Sequence, residues 1–374
     1  MDLQAQIDEQ FMHHAIALGE KGRYTAPPNP WVGAVITQFN QIIGEGYHHA
    51  PGQPHAEVNA IQSAKANLQG STIYVTLEPC CHYGRTPPCV QSIIKAGIQR
   101  VVVGIEDPDP RVKGQGIAYL KQAGIQVSVG IAAETVKKSL GPYLYHRSTG
   151  KPYCVLKVAS SIDGRIAAVD KSSKWITDDA SRNDVHILRK QSQGILTGSK
   201  TAALDLPLLT VRSIPLENGQ SSPLRIVLDT FGTLAAKGPL FDTSLAPTLI
   251  FTTDYCSRRR KEAWLKAGVE VEELMIHKHK EQIKIDLNAA LASLGKRGIL
   301  QLLVEGGAKI QGAFIRQNLV NKLVVYIGSV ILGDQGYPSF IGQDIQNISE
   351  AKKWRLDSFE RFDNDIRLEY LPIV

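Results

Sequence analysis

The segment TIYVTLEPCCHYGRTPPC, residues 72–89, joins an apolar, β-branched run to three of the chain's five cysteines. The run at 72–78 predicts a buried strand, and the cysteines begin one proline later. Upstream, the sequence HAE at 55–57 places a histidine and a glutamate at the start of a predicted helix. From the cysteines alone, a disulfide, a structural metal site and a catalytic metal site are all open.

Strand-like and helix-like segments alternate on both sides of this stretch. Further strands are predicted at 31–37, 100–107 and 125–131, and helices at 1–22, 55–68 and 87–98. Strands that alternate with helices indicate an α/β layered sheet. The polar segment HRSTGKPY, residues 146–153, is a candidate linker because it contains glycine and proline. We therefore expect one domain over 1–148 and a second over 149–374.

The second part of the chain repeats the alternation. It opens at 153–167 with a strand-like run that leads into a glycine-containing turn. Strands are predicted at 225–229, 248–253, 299–307 and 322–333, helices at 286–298 and 308–319, and a hairpin that turns at 363–365. Asp286 is the expected N-cap of its helix. Gly306 and Gly307 end a strand and open a helix, where the backbone can approach an anion; a tight turn is the alternative. No G-x-G-x-x-G motif follows a strand, so a standard Rossmann site is not supported.

The composition is that of an ordinary globular protein of 374 residues, long enough for two domains. It contains no apolar run of about 18 residues and no signal-peptide pattern, so we expect a reducing cytoplasmic setting, in which clustered cysteines favour metal binding or catalysis over disulfides. The net charge of +6 permits a phosphate-bearing ligand or a nucleic acid. The basic run SRRRK at 257–261 is typical of a solvated helix start, and the absence of a basic stripe interleaved with aromatic residues disfavours nucleic-acid binding.

Three side chains around the cysteine-rich segment are typical zinc ligands: His55, Cys80 and Cys89. Three protein ligands leave a fourth position for water, whose pKa zinc lowers towards neutrality. Glu57 lies two residues from His55 and is the candidate proton shuttle between this water and a leaving amine.

The alternative is a closed structural site in which Cys81 or His82 is the fourth ligand. Against it, the adjacent Cys80 and Cys81 cannot easily both face one metal. His-x-Glu followed by Pro-Cys and a second cysteine is the signature of zinc nucleobase deaminases. Here eight residues rather than two separate the cysteines, which argues against the polynucleotide-editing enzymes and adds polar side chains beside the metal.

The stretches TAPPNPWVGAVI, HAEVNAI, VTLEPCCHYGRTPPC and EDPDPRVKGQG resemble the deaminase half of the bifunctional riboflavin-biosynthesis deaminase/reductase family. The resemblance covers nearly the whole chain. It implies an α/β architecture, with an N-terminal cytidine-deaminase-like three-layer domain and a C-terminal dihydrofolate-reductase-like domain. It also implies zinc-dependent hydrolytic deamination of 2,5-diamino-6-ribosylamino-4(3H)-pyrimidinone 5′-phosphate. The positions that match substrate contacts are Asn29, His48, His82 and Asp107, and Arg85 in the same insertion is a candidate contact to a phosphate or carbonyl.

The stretch LKVASSIDGRIA followed by SSKWIT resembles the reductase half of the same family, which implies NADPH-dependent reduction of the ribosyl side chain to ribityl. The positions that match cofactor contacts are Ala159, Trp175, Thr201, Asp205 and Gly307, and those that match substrate contacts are Ser173, Arg189, Leu208, Arg212 and Glu305. The two arginines suit a ribose phosphate through bidentate pairing, and a surface ion pair is the alternative for each. Lys157 is a candidate to polarise or protonate the opened sugar.

Three positions depart from the usual pattern of the family: Cys81, Asp109 and Gln193. Cys81 stands where a small polar residue is common, and Asp109 and Gln193 replace the usual Asn and Asp. The last two keep open the alternative that only one half is active. The resemblance further implies a small-molecule substrate rather than a nucleic acid or a membrane, a cytoplasmic location, and a homo-oligomer, either dimer or tetramer.

Overall fold

The computed structural model describes residues 3–279 and 282–373. Over these ranges the chain forms two compact units. The first ends at Lys151 and also takes in Glu217–Gln220, and the second begins at Pro152. No helix in the ranges has the length and apolar character required to cross a membrane.

The first unit is a five-stranded sheet between two layers of helices. Its strands are β1 (Gly33–Gln38), β2 (Gln41–Tyr47), β3 (Thr72–Leu77), β4 (Arg100–Ile105) and β5 (Gln126–Val129), and its helices are α1 (Leu3–Glu20), α2 (Ala56–Ser63), α3 (Cys89–Lys95), α4 (Gln115–Gln122) and α5 (Ala133–Thr149). The strand order is β2-β1-β3-β4-β5, in which β1 runs antiparallel to β2 and β3 while β3, β4 and β5 are parallel. Helices α1 and α5 pack together, as do α2, α3 and α4. Because helices cover both faces, the central strands are continuous apolar runs, as predicted.

The second unit contains one nine-stranded sheet and two sheets of two strands each. Its strands are β6 (Tyr153–Ser160), β7 (Arg165–Ala167), β8 (Gly194–Gly198), β9 (Leu224–Leu228), β10 (Thr248–Thr252), β11 (Glu270–Glu273), β12 (Ile276–His279), β13 (Gln282–Ile285), β14 (Gln301–Val304), β15 (Lys322–Ile327), β16 (Tyr337–Pro338), β17 (Trp354–Phe362) and β18 (Asp365–Pro372). Its helices are α6 (Asp179–Lys190), α7 (Ser199–Asp205), α8 (Arg258–Lys266), α9 (Leu287–Lys296) and α10 (Ala308–Arg316).

The order of the large sheet is β11-β10-β9-β8-β14-β6-β15-β18-β17. The seven strands from β11 to β15 are parallel, and the final hairpin β17–β18 adds antiparallel to β15. In a parallel sheet all the carboxyl ends lie at one edge, where α/β proteins bind their ligands. The strands β6, β14 and β8 are neighbours, so the loops that follow them meet at this edge.

Alternate residues of β6 supply two separate cores. Cys154, Leu156 and Val158 pack in one core with α9 and α10. Val155 packs in the other, which contains the fully buried Trp264 of α8. The side-chain period of two along a strand explains this division, because successive residues point to opposite faces.

The local signals named in the sequence act as predicted. The carboxylate of Asp286 caps α9 by accepting from the backbone N–H of Asn288 at 2.8 Å. The final hairpin turns through Asp363 and Asn364, and Asp363 takes the left-handed conformation, which aspartate tolerates. The basic run begins α8 behind the N-cap Ser257, in agreement with a helix start.

Several segment predictions were wrong in their bounds, among them the strand predicted at 322–333, which ends at Ile327. The candidate linker at 146–153 is the last turn of α5 as far as Thr149 and the first residue of β6 at its other end, so only 150–152 connect the two elements. The helix predicted at 55–68 ends at Ser63. The hydroxyl of Ser63 donates to the carbonyl of Glu45 and accepts from its N–H, which ties the chain to β2. Such side-chain bonds to backbone compete with helix continuation.

Candidate active sites

A histidine and two cysteines meet beyond the carboxyl end of β3. His55 is the N-cap of α2, Cys80 follows β3, and Cys89 is the first residue of α3. Nδ1 of His55 lies 3.2 Å from Sγ of Cys89 and 3.5 Å from Sγ of Cys80. All three atoms lie within 4.8 Å of one another, and no other potential metal-binding group of this size occurs in residues 3–279 and 282–373. The structure thus brings together the three ligands predicted from the sequence.

The donor set fits a zinc ion. Bonds of about 2.0 Å to nitrogen and 2.3 Å to sulfur give a tetrahedral nitrogen–sulfur edge of about 3.5 Å, close to the separations observed. Oγ1 of Thr86 lies 3.3 Å from Nε2 of His55. If Nε2 donates its proton to Thr86, the lone pair of Nδ1 is directed at the metal position. Thr86 was not singled out in the sequence, although it lies inside the eight-residue insertion.

The hydrogen bond between the two thiols separates their pKa values. It lowers the pKa of Cys80 and raises the pKa of Cys89 well above its ordinary value. Glu57, the second residue of α2, is 3% exposed, and burial raises its pKa to about 7. A carboxyl group with this pKa can both take up and release a proton near neutral pH.

A cleft of about 580 Å³ opens beside this group. All five substrate-binding positions predicted for the first unit line it: Asn29, His48, His82, Arg85 and Asp107. Nδ1 of His48 lies 3.1 Å from the carbonyl of Pro54, and its Nε2 lies 3.1 Å from Nδ2 of Asn29. Burial lowers the pKa of His48, so its neutral ring donates at Nδ1 and accepts at Nε2. Asn29 is thereby oriented with its amide nitrogen towards His48.

The cleft contains further side chains that the sequence did not reveal. The hydroxyl of Tyr143 donates to the carboxylate of Asp107 at 3.1 and 3.2 Å. The guanidinium carbon of Arg147 lies 5.2 Å from the centre of the Tyr143 ring. Both residues belong to α5, far along the chain from the zinc motif, and no local pattern marks them.

Glu78 is buried at the end of β3 and organises the rim of the cleft. Its carboxylate accepts from the backbone N–H groups of Asp107, Gly114 and Ile117 at 3.2, 2.9 and 3.1 Å. These bonds fix the loop between β4 and α4 against the strand that precedes Cys80. The sequence contained a signal for this role, because Glu78 lies directly before the Pro-Cys pair, and a carboxylate at the end of a buried strand requires hydrogen-bond partners.

Two departures from the family pattern have structural explanations. Sγ of Cys81 lies 3.8 Å from the carbonyl of Arg111 and is outside the metal-binding group, so Cys81 is not a fourth ligand of that group. The carboxylate of Asp109 forms a bidentate pair with Arg111 at 2.9 and 2.7 Å, which lowers the pKa of Asp109 to about 2. The negative charge introduced at this position is therefore neutralised within the loop.

A second cavity, of about 430 Å³, lies at the carboxyl edge of the large sheet. Ten of the predicted reductase residues line it: Lys157, Ala159, Ser173, Trp175, Arg189, Thr201, Asp205, Arg212, Glu305 and Gly307. Leu208 is the exception, because its neighbours Pro207 and Leu209 line the cavity and Leu208 does not. Gln193 is also remote, since its Oε1 accepts from the N–H of Gln301 at the opposite, amino edge of the sheet.

Glu305 is the centre of a buried charge cluster. Arg189 donates to its two carboxylate oxygens at 2.6 and 2.9 Å, and Nζ of Lys157 lies 3.5 Å from Oε2. Burial works to raise the pKa of Glu305, but the two cations outweigh it and lower the pKa to about 2. Arg189 thus already has a bidentate partner in this carboxylate, and its pairing with a ribose phosphate stays a prediction.

Arg212 has a more available guanidinium, whose contact to Oγ1 of Thr210 is long at 3.4 Å. Its backbone N–H donates to Nδ1 of His186 at 3.2 Å. Burial and the neighbouring arginines lower the pKa of His186 to about 4, so the ring is neutral and accepts this bond. His186 therefore anchors the loop that carries Arg212 to helix α6, a role for which the sequence gave no signal.

The same cavity offers backbone and amide groups that suit a dinucleotide. A Cβ atom added to Gly307 would lie 3.1 Å from Oγ1 of Thr201, and one added to Gly306 would lie 2.7 Å from Ile310. At Gly306 the turn that opens α10 therefore has no room for a side chain unless Ile310 shifts, and the first N–H groups of the helix have no intrahelical acceptor. Oε1 of Gln311 is buried without a partner among the described residues and lines the cavity. The backbone N–H groups can thus donate to a diphosphate, and Oε1 of Gln311 can accept from an amide N–H.

Comparisons with known proteins agree with both sites. Residues 5–105 match the family model for the cytidine and deoxycytidylate deaminase zinc-binding region, and residues 152–368 match the model for the RibD C-terminal domain. The riboflavin biosynthesis protein RibD of Chlamydia trachomatis is 48% identical over 88% of this chain and 86% of its own length. RibD of Escherichia coli is 37% identical over 96% of this chain and 98% of its own.

Solved structures give the same result. Form 1 of Acinetobacter baumannii RibD superposes with a TM-score of 0.89 at 37% identity, covering 99% of this chain and 100% of that one. A Thermotoga maritima deaminase/reductase superposes with a TM-score of 0.86 at 34% identity over the same shares. Members of this family combine a zinc-dependent deaminase with an NADPH-dependent reductase. With both domains matched in this order and both sites formed, the chain belongs to the RibD family of bifunctional riboflavin-biosynthesis enzymes.

Proposed function

We propose that the first unit hydrolytically deaminates 2,5-diamino-6-ribosylamino-4(3H)-pyrimidinone 5′-phosphate, and that the second reduces the ribosyl side chain of the product to ribityl. The observation that carries this proposal is the buried Glu57 beside the His55, Cys80 and Cys89 group at a cleft. The Thermotoga maritima relative is named a diaminohydroxyphosphoribosylaminopyrimidine deaminase/5-amino-6-(5-phosphoribosylamino)uracil reductase, the same two reactions.

In the deaminase unit, each group has a separate task. Zinc bound by His55, Cys80 and Cys89 would supply a water of lowered pKa. The Glu57 carboxylate takes up a proton and transfers it to the departing amino group, so that nitrogen leaves as ammonia. Burial helps Glu57 to hold that proton near neutral pH.

The remaining side chains of the cleft position the substrate. Asn29, oriented by His48, contacts the pyrimidine edge, and Asp107, oriented by Tyr143, offers a carboxylate to the ring amino groups. His82 and Arg85, in the insertion between the cysteines, bind the phosphate. Nδ1 of His82 is buried without a partner among the described residues, which supports a polar ligand there.

In the reductase unit, NADPH would supply the hydride. Nζ of Lys157, 3.5 Å from Glu305, donates a proton to the imine nitrogen of the opened sugar as its first carbon receives the hydride. Arg189 holds the Glu305 carboxylate in place, and Arg212 binds the ribose phosphate with the help of Ser173. Ala159, Trp175, Thr201, Asp205 and Gly307 contact the cofactor, and Leu208 contacts the substrate only if its loop rearranges.

We keep three further expectations as parts of this proposal. The functional boundary lies between residues 148 and 149, which the start of the matched reductase region at 152 supports. The protein is a homo-oligomer, dimer or tetramer, which light scattering of the purified chain would test. Its location is cytoplasmic.

The central test replaces Glu57 by glutamine in the full chain. We expect ammonia release to fall about 10²- to 10⁴-fold, because the proton shuttle is lost. Zinc content and NADPH oxidation on the deaminated intermediate should be unchanged. Glu134→Gln is the matched control, because Glu134 is an exposed acid in the first turn of α5 and should leave both activities intact. Ammonia release that survives in the Glu57 variant would refute the assignment.

A further inference from the structure

The cleft of the first unit contains an arginine that has no task in the function proposed above. Arg147, near the end of α5, lines this cleft. Its Nε is buried and has no hydrogen-bond partner in residues 3–279 and 282–373. A buried guanidinium N–H that has lost its water and gained no acceptor is unfavourable. At the wall of a ligand cleft, such a group indicates that the ligand supplies the acceptor.

Three contacts hold the guanidinium of Arg147 without satisfying its Nε. Its central carbon lies over the ring of Tyr143, 5.2 Å from the centre. One terminal nitrogen lies 3.5 Å from the carbonyl of Pro28, and Nε lies 3.9 Å from Oδ2 of Asp109. Both of these separations are long, and the carboxylate of Asp109 is already paired with Arg111 at 2.9 and 2.7 Å. The stacking on Tyr143 fixes the plane of the guanidinium and leaves its N–H edge free.

These contacts place Arg147 among the groups that are proposed to hold the pyrimidine. Pro28 directly precedes Asn29, the candidate contact to the pyrimidine edge. Tyr143, on which Arg147 stacks, donates its hydroxyl proton to the carboxylate of Asp107 at 3.1 and 3.2 Å. Arg147 is therefore positioned to meet the ring of the substrate.

The other side chains around the ring present acceptors. The amide nitrogen of Asn29 is directed at His48, which leaves the amide oxygen of Asn29 for the ligand. The carboxylate of Asp107 can only accept, and the hydroxyl proton of Tyr143 is used on it. The pyrimidinone carries amino and N–H donors that match these acceptors, and one carbonyl oxygen, at its 4-position. Arg147 supplies the donor that this oxygen requires.

We propose that Nε of Arg147 donates a hydrogen bond to the 4-oxo group of the pyrimidinone and selects rings that carry a carbonyl at this position. This assignment rests on the deaminase function proposed above and names a specificity-determining residue for it. A charged donor forms a strong bond to a carbonyl in a cleft of low polarity. A ring with an amino group at the same position would set a donor against the guanidinium and leave both unpaired, which is how polar sites reject close analogues.

The test is calorimetric binding to the zinc-loaded full chain that carries Glu57→Gln, so that the ligand is not consumed. The ligands are the pyrimidinone phosphate, its analogue with hydrogen in place of the 4-oxo group, and its dephosphorylated nucleoside. With Arg147 present, the analogue should bind roughly 10- to 100-fold more weakly than the pyrimidinone phosphate. Arg147→Met should weaken the pyrimidinone phosphate by the same factor and leave the affinity for the analogue unchanged. Loss of the phosphate should weaken binding equally with and without Arg147.

Arg23→Met is the matched control. Arg23 also lies over an aromatic ring, 5.1 Å from the centre of Trp31, and its Nε is also buried without a partner among the described residues. It does not line the cleft, so its replacement should leave the affinities for all three ligands unchanged.

The outcomes distinguish this inference from the function on which it rests. If Arg147→Met weakens the pyrimidinone phosphate and the analogue by the same factor, Arg147 only supports the cleft and does not contact the carbonyl. If the effect of Arg147→Met disappears with the dephosphorylated nucleoside, the contact is to the phosphate, and the assignment is wrong. If the wild-type chain releases no ammonia from the pyrimidinone phosphate, the proposed deaminase function fails and this inference fails with it.

Discussion

The buried carboxylate of Glu305 gives a quantitative prediction for the variant Glu305→Gln. Its pKa falls from 4.5 to about 2 beside Arg189 and Lys157. One decade of proton affinity corresponds to about 1.4 kcal/mol, so the ionised form stabilises the fold by about 3 kcal/mol at neutral pH. Loss of one partner from a buried ion pair costs about 3–5 kcal/mol, which agrees with this value.

The pH dependence of this effect has a definite sign. A carboxylate with a lowered pKa contributes its stabilisation above the unfolded value of 4.5, and the contribution is lost as pH falls towards 2. The difference in unfolding free energy between wild type and Glu305→Gln should therefore be about 3 kcal/mol at pH 7. At pH 3 it should shrink to about 1.4 kcal/mol.

The measurement is urea unfolding of the full chain, followed by the fluorescence of Trp264 after the other three tryptophans have been replaced by phenylalanine. Trp264 is fully buried in the second unit, so it reports the unit that contains Glu305. Glu262→Gln is the control, because its pair with Arg258 is exposed and should contribute less than about 1 kcal/mol. Equal unfolding free energies of wild type and Glu305→Gln at pH 7 would refute the reasoning.

Three other perturbations have clear expected outcomes. Cys81→Ser should retain zinc, whereas Cys80→Ser should lose it, as measured by metal analysis of the purified chains; zinc loss from the Cys81 variant alone would contradict the ligand set. Arg225→Met should lower the unfolding free energy by about 3 kcal/mol. The guanidinium of Arg225 is fully buried and donates to four backbone carbonyls between residues 239 and 246, and the variant would leave these carbonyls unpaired. A urea midpoint like that of wild type would exclude this role. Asp8→Asn should lower the unfolding free energy of the first unit by about 3 kcal/mol, because it breaks the buried bidentate pair with Arg100. An unchanged urea midpoint in Trp31 fluorescence would show that the pair is unimportant.

The sequence predicted the elements whose signals are local. Apolar runs marked the central strands of both sheets, Asp286 marked a helix start, and the charged tail marked the final hairpin. The prediction was wrong at 146–153, where glycine and proline suggested a linker but α5 continues to Thr149. The end of a helix depends on its tertiary contacts as well as on local breakers, as the bonds of Ser63 to β2 also show.

The sequence by itself determined the chemistry of the first site, because zinc ligands and a neighbouring carboxylate belong to a short motif of distinctive residue types. The tertiary structure decided which side chains surround that motif. Tyr143 reaches Asp107 across 36 positions, and Arg189 reaches Glu305 across 116. Those pairs depend on strand order and helix packing, which no local period encodes. Only the folded chain therefore shows that Arg189 pairs with a carboxylate, while the guanidinium of Arg212 is more available.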